Sequence, residues 1–161
     1  MTIRTKPRYS IRTAKLSDSA EIARLAKELG YPAAPAEISA RLQSLLDQPS
    51  HFIAVAAVEK EQTLLGWIAA EERTLLVASA QIEIMGLVVD RAARRAGIGY
   101  ALIAAVEHWA KERGLEKIVV RSNIRRQESH PFYEGLGYRR AKSQHVYVKE
   151  QSAGRRAAGV A

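Results

Sequence analysis

The chain has 161 residues, 47% apolar and 26% charged, with 25 Lys and Arg against 17 Asp and Glu and a net charge of +8. That length favours one domain with a sizeable core, and the absence of cysteine excludes disulfides, thiolate metal sites and a cysteine nucleophile. No apolar stretch approaches the ~18 residues of a membrane span, so a cytoplasmic protein with no membrane partner is expected.

In chain order, residues 9–13 predict a short strand. Asp18 and Glu21 then form a start resembling a capping box, with Ile22, Leu25, Ala26 and Leu29 at helical spacing and Gly30 as the stop. After the Tyr31-Pro32 break, a second helix carries Ile38, Leu42, Leu45 and Leu46 on one face, and Pro49 ends it. Residues 51–58 and 63–73 predict an antiparallel hairpin around the polar turn 59–62. Residues 81–89 predict a buried strand, 98–113 an amphipathic helix stopped by Gly114, and 117–121 another strand. A short helix is expected over about 131–136 with Gly137 as its C′ residue, and 144–149 alternates as a final strand. Residues 1–150 are read as one domain and 151–161 as a disordered tail. The strand–helix–strand over 81–121 implies a parallel pair with a right-handed crossover. With the remaining pairs antiparallel, the fold is α/β with a mixed sheet.

The most informative segment is Arg94-Arg95-Ala96-Gly97-Ile98-Gly99, a basic glycine turn between a strand and a helix start. Uncapped N–H groups and the helix dipole suit a phosphate there, and glycine allows close backbone approach. A dinucleotide fingerprint needs a third glycine where Leu102 stands, and a nucleoside triphosphate loop needs Gly-Lys-Ser/Thr; both are absent. A plain tight turn is the competing explanation. Much of the basic excess, including Arg91, Arg94, Arg95, Arg125, Arg126, Arg139 and Arg140, flanks this turn and the segment near Tyr133.

Arg94-x-x-Gly97-x-Gly99 resembles the acetyl-CoA pyrophosphate loop of the GNAT superfamily of N-acetyltransferases. Leu87-Val88-Val89-Asp90 looks like its pantetheine-binding strand end. Ser122-Asn123 and the run Phe132-Tyr133-Glu134-Gly135-Leu136-Gly137-Tyr138 look like its second motif. The order of elements matches over about residues 9–149. Tyr31-Pro32 and Gly66-Trp67 are similar to bacterial aminoglycoside-acetyltransferase-like members. The resemblance implies a mostly antiparallel sheet splayed at its parallel pair and flanked by about four helices. It implies cofactor contacts from Leu87, Val88, Val89, Arg94, Arg95, Ala96, Gly97, Ile98, Gly99 and Tyr100. Asn123 either joins them or terminates its strand. It further implies acetyl-CoA as co-substrate without a metal, a small-molecule or peptide amine as acceptor, and a homodimer by family habit. The acceptor would lie between the two N-terminal helices, the strand around Glu71 and the last strand near Tyr147.

Acetyl transfer needs a neutral amine, and an alkyl ammonium at pH 7 is neutral in only about one part in 2,500, a cost of roughly 4.6 kcal/mol. Glu83, a carboxylate inside an apolar strand eleven residues before Arg94, is the candidate base. It is equally readable as a strand residue facing water or pairing with a nearby arginine. Glu71 and Glu72 are backups, one facing each side of the sheet, and His51 is a weaker one. The resemblance implies that the N–H of Leu87 meets the thioester oxygen. Gly86 before it suits either a bulge or close packing of a neighbouring side chain.

Tyr133 matches the family's general acid; its alternative is a core tyrosine with a satisfied hydroxyl. Pro131, two residues earlier, departs from the family and moves the helix start to Ser129 or His130, with Ser129 as cap. Two other functions stay open: a non-catalytic acetyl-CoA-binding regulatory module on this fold, and a nucleic-acid-binding protein suggested only by charge. No recognition motif supports the latter, so no nucleic acid is expected.

Overall fold

The computed structural model describes residues 8–152. The basic N-terminal residues 1–7, and the expected tail beyond residue 152, lie outside the described residues. The chain forms two compact units, Met1–Ile124 and Arg125–Ala161.

The first unit is built on a five-stranded sheet in the order β1 (Tyr9–Thr13), β2 (His51–Val58), β3 (Leu64–Arg73), β4 (Gln81–Val89), β5 (Ile118–Val120). The first three pairings are antiparallel, and β4 with β5 is parallel. The helices are α1 (Ser19–Leu29), α2 (Pro35–Leu46) and α3 (Ile98–Glu112), each near its predicted span. On one face of the sheet, Ile22 and Leu25 of α1 and Leu42 of α2 pack on Ile53, Val55, Ala57, Leu64 and Val88. On the other, Ile98, Leu102, Ile103, Val106 and Ala110 of α3 are buried, and α3 packs on β2, β3 and β4. Trp109 of α3 stacks on Phe52 of β2 at 5.3 Å. Among the described residues no helix is long and apolar enough to cross a membrane.

The start of α1 differs from the expected capping box. Asp18 sits at the N-cap position without a side-chain cap bond. Its carboxylate instead accepts from both Arg12 guanidinium nitrogens at 2.8 and 2.9 Å and from the Lys15 N–H at 2.8 Å. Glu21, rather than reaching back, accepts from the Leu64 N–H at 3.0 Å and from Arg24. Arg24 also donates to Asp90 at 2.8 Å and to the Leu64 carbonyl at 3.0 Å. One arginine therefore ties α1 to the start of β3 and the end of β4. A two-way charged link across elements satisfies more groups than a local cap, and tertiary context overrides the local pattern.

In the second unit, α4 runs from Ser129 to Gly135. The predicted start holds, but Ser129 is the first helical residue, not the cap. Glu128 occupies the cap position without a side-chain bond. Pro131 is the third helical residue, where its missing N–H costs no intrahelical bond. The N–H of Gly137 donates to Glu134 and that of Tyr138 to Tyr133, both at 3.0 Å, so Gly137 is the C′ residue as expected. The strand expected over 144–149 is not formed; these residues have no regular structure and Val146, Tyr147 and Val148 are exposed. Alternation marks a segment able to join a sheet, but a strand exists only where a neighbour completes its ladder.

Burial alone would raise the Asp18 carboxyl, but the Arg12 guanidinium and the Lys15 N–H outweigh it and hold it below its ordinary range. Its folded value being lower than its unfolded one, the group adds stability above about pH 4, and that stability is lost as pH falls through the folded value. Urea-unfolding free energy is expected to decline in acid, and Asp18→Asn to flatten part of that decline. At neutral pH, Asp18→Ala is expected to cost about 2 kcal/mol.

Candidate functional site

The sheet is interrupted at one residue. Ala69 of β3 opposes Gly86 of β4, and Ala70 opposes Ile84, so Met85 is an extra, exposed residue on β4. A Cβ at Gly86 would stand 2.9 Å from the Trp67 ring. Both expectations for Gly86 are met: it lies at a bulge, and a neighbouring side chain packs on it.

The bulge changes which edge the backbone of β4 addresses. The Ile82 N–H donates to the Lys117 carbonyl, on the β5 side, at 2.9 Å. The Asp90 N–H donates to the Leu65 carbonyl of β3 at 2.8 Å. Polar groups of successive strand residues face opposite edges. Counting back from Asp90, Val88 faces β3, while Leu87 and Val89 face the other edge. Counting forward from Ile82 without the extra residue would turn Leu87 and Val89 toward β3. β5 pairs with β4 only at Ile82, Glu83 and Ile84, so Leu87 and Val89 present their N–H and C=O groups beyond the last β5 pair. The parallel pair is thus held over three residues only, leaving this edge of β4 open where the splay is expected.

At the end of this edge, Asp90 accepts from the Ala92 N–H at 2.9 Å and from Arg24. Burial acts to raise its carboxyl, but these two donors prevail and the group sits below its ordinary range. The chain then turns through Arg94 into two left-handed residues, Arg95 (φ 64°) and Gly97 (φ 80°). A side chain at Gly97 would meet no atom within 4 Å, so glycine serves the backbone conformation there, not packing. Gly97 is the N-cap of α3, and no side chain caps it. The first helical bond runs from Ala101 to Gly97 at 3.0 Å, leaving the N–H groups of Ile98, Gly99 and Tyr100 ahead of the ladder. The Ile98 side chain is buried, whereas Arg94, Arg95 and Tyr100 are exposed. The donor set therefore suits an extended ligand that ends in phosphates. Leu87 and Val89 provide a strand edge, and the loop 94–97 adds guanidinium groups and helix N–H groups.

Glu83 is buried, with 2% of its surface accessible. Arg121, just past β5, donates to one carboxylate oxygen at 2.7 Å, and Arg73, at the end of β3, donates to the other at 3.3 Å. Pairing with arginine, one of the expected alternatives, is thus realised. In register, His51, Glu71, Glu83 and Val119 form a row across one face of the sheet. This is the α1/α2 face, because His51 alternates with Ile53 and Val55. Glu71 lies 4.0 Å from His51. Glu72 points to the opposite face, where it pairs with Arg113, the residue that caps the end of α3, so of the two backups only Glu71 shares a face with Glu83. Which arginines, Arg73 and Arg121, and that there are two, is not readable from the sequence, although a carboxylate in an apolar strand signals a need for counter-charge. β5 ends at Val120, three residues before Asn123, so Asn123 is not the residue that stops the strand.

Within the second unit, Tyr133 lies in α4, in edge contact with Phe132 at 5.2 Å and Tyr138 at 6.0 Å. Burial pushes its phenol up, partly offset by Arg126. The hydroxyl is therefore protonated at neutral pH and able to donate.

The bulge makes one stability test. Gly86→Val is expected to cost about 1–3 kcal/mol by forcing the Trp67 ring aside, seen as a lowered thermal midpoint, whereas Met85→Val, at the exposed position, is expected to be near neutral.

No curated protein matches the chain significantly. Several solved structures share its fold. The Trypanosoma brucei acetyltransferase superposes with a TM-score of 0.76 at 23% identity, covering 88% of this chain and 100% of that one. The aminoglycoside N-acetyltransferase AAC(6')-Iy, in complex with CoA, has a TM-score of 0.80 at 19% identity, covering 93% and 100%. An aminoglycoside 6'-N-acetyltransferase from Acinetobacter baumannii has a TM-score of 0.77 at 21% identity, covering 90% and 99%. The family model of the Acetyltransferase (GNAT) family matches residues 18–138, a span that includes the bulged strand, the basic loop and α4, and the chain belongs to that family.

Proposed function

We propose that the protein is an N-acetyltransferase that moves the acetyl group of acetyl-CoA directly to a primary amine. The observation that carries this reading is the outward edge of β4 at Leu87 and Val89, which leads into a left-handed basic loop at an uncapped helix start. Membership of an acetyltransferase family supports it, as does the CoA complex of a structurally similar aminoglycoside N-acetyltransferase.

In this reading Leu87 and Val89 bond the amide-bearing arm of the cofactor as an added strand would, with the Leu87 N–H meeting the thioester oxygen. The side chain of Val88 stays in the core. Arg94, Arg95 and the N–H groups of Ala96 to Tyr100 hold the pyrophosphate, and Asn123 flanks the cofactor. When bound, acetyl-CoA would supply the acetyl group: the amine nitrogen bonds the carbonyl carbon, the carbon–sulfur bond breaks, and the leaving thiolate ends with the second proton that the attacking nitrogen gives up. Glu83 takes the proton that the ammonium must lose before attack and passes it to water. Tyr133 is assigned the proton donor to sulfur on the motif around it. Full donation from a phenol to a thiolate is uphill by about 2 kcal/mol, and burial adds to that. Its help is therefore a hydrogen bond that strengthens as charge develops. The absence of cysteine favours direct transfer over an acyl-enzyme.

Calorimetry with acetyl-CoA and turnover with an amine panel test the reading. Gly97→Asp is expected to abolish binding, since it puts bulk and negative charge at the phosphates and strains a left-handed position; unchanged binding would remove the loop assignment. Tyr133→Phe is expected to lower kcat by about 10²-fold or more with little change in cofactor affinity; equal turnover would exclude Tyr133 as the acid. Binding of acetyl-CoA with no consumption by any amine would contradict catalysis and leave a non-catalytic acetyl-CoA-binding module.

A further inference from the structure

The buried Glu83 carboxylate is bonded by two arginines that are themselves partly exposed. The Arg73 side chain is 41% exposed and that of Arg121 58% exposed, while Glu83 retains 3% of its side-chain surface. On the same face, in register with Glu83, stands Glu71, with His51 beside it at 4.0 Å. The groups at this point thus interleave two carboxylates with two guanidinium groups. A site for a polycation would show carboxylates to solvent. Here the more exposed charges are positive, and the carboxylate lies beneath them.

We propose that the acceptor is a free amino acid, acetylated on its α-amino group. This deepens the proposed function and rests on it. A zwitterion matches the arrangement by exchanging ion pairs. Its carboxylate takes guanidinium donors of Arg73 and Arg121, which releases Glu83 to receive the proton of the ammonium. Both arginines bond the one carboxylate of Glu83, at 3.3 and 2.7 Å. The acceptor's nitrogen and carboxylate must therefore be close neighbours, which selects an amine on the carbon that bears the carboxylate. An ω-amine or a peptide N-terminus lacks that geometry. Arg73 and Arg121 are specificity residues on this account, and Glu71 attracts the ammonium.

The test is a comparison of kcat/KM for each common amino acid with the amine that lacks only its carboxylate, using the full chain and acetyl-CoA. The best amino acid is expected to exceed its matched amine by about tenfold or more, the least that loss of one charge-assisted pair would give, and lysine is expected to give the Nα-acetyl product by mass spectrometry. Arg73→Met is expected to pull the ratio of the two constants toward one, and Arg73→Lys to retain part of the preference. A purely structural role would lower both constants together and leave the ratio alone. Equal or better use of the matched amines, or Nε-acetylation of lysine, would overturn the proposal while leaving acetyl transfer intact. If none of these acceptors consumes acetyl-CoA, the amino-acid proposal is overturned, and acetyl transfer falls with it only if the wider amine panel is unused as well.

Discussion

One extra residue in a strand governs the geometry of the site. Met85 adds a position to β4 that β3 does not match, and every backbone group beyond it changes edge. The parallel pairing with β5 ends at Ile84, one residue before the bulge, so among the described residues the inverted groups of Leu87 and Val89 meet no strand on that edge. Gly86 makes room for the Trp67 ring at this point. Packing in the core and polar groups at the open edge are thereby set by the same local irregularity. A bulge here is a means of aiming the backbone, as such features often are beside sites.

Charge then fixes what surrounds this edge. Arg24 joins Glu21, Asp90 and the Leu64 carbonyl, which anchors the loop after β4 to α1 and to β3. The loop can consequently hold two left-handed residues without a side chain to cap the helix it begins. On the α1/α2 face, Glu83 is kept in the interior by two guanidinium groups. A buried carboxylate with one arginine removed would be costly, so the ion pairs that maintain the fold are the same ones to which the proposal assigns acceptor recognition.

Much of this was readable from local pattern. The helices announce themselves through Ile22, Leu25 and Leu42, and the hairpin through its polar turn, because their spacing is set by backbone period. The glycine turn at Arg94 to Gly99 and the glycine at 86 were readable for the same reason: each answers a backbone demand at its own position. What was not readable depends on distance. Arg24 meets Asp90 sixty-six positions away and Arg121 meets Glu83 thirty-eight away, and no local period encodes either. The misread cap at Asp18 has the same origin, since Arg12 on β1 outcompetes the helix N–H groups for its carboxylate. The segment 144–149 shows the converse: its alternation is genuine, but alternation alone does not make a strand.

The central claim is that the bulge turns Leu87 and Val89, and not Val88, toward the cofactor. Amide hydrogen exchange read residue by residue, with and without acetyl-CoA, tests it most directly. The account predicts that the cofactor slows exchange at Leu87 and Val89, while Val88, already facing β3, is unchanged. Exchange at Leu87 and Val89 unaffected by saturating acetyl-CoA, or slowed no more than at Val88, would contradict it.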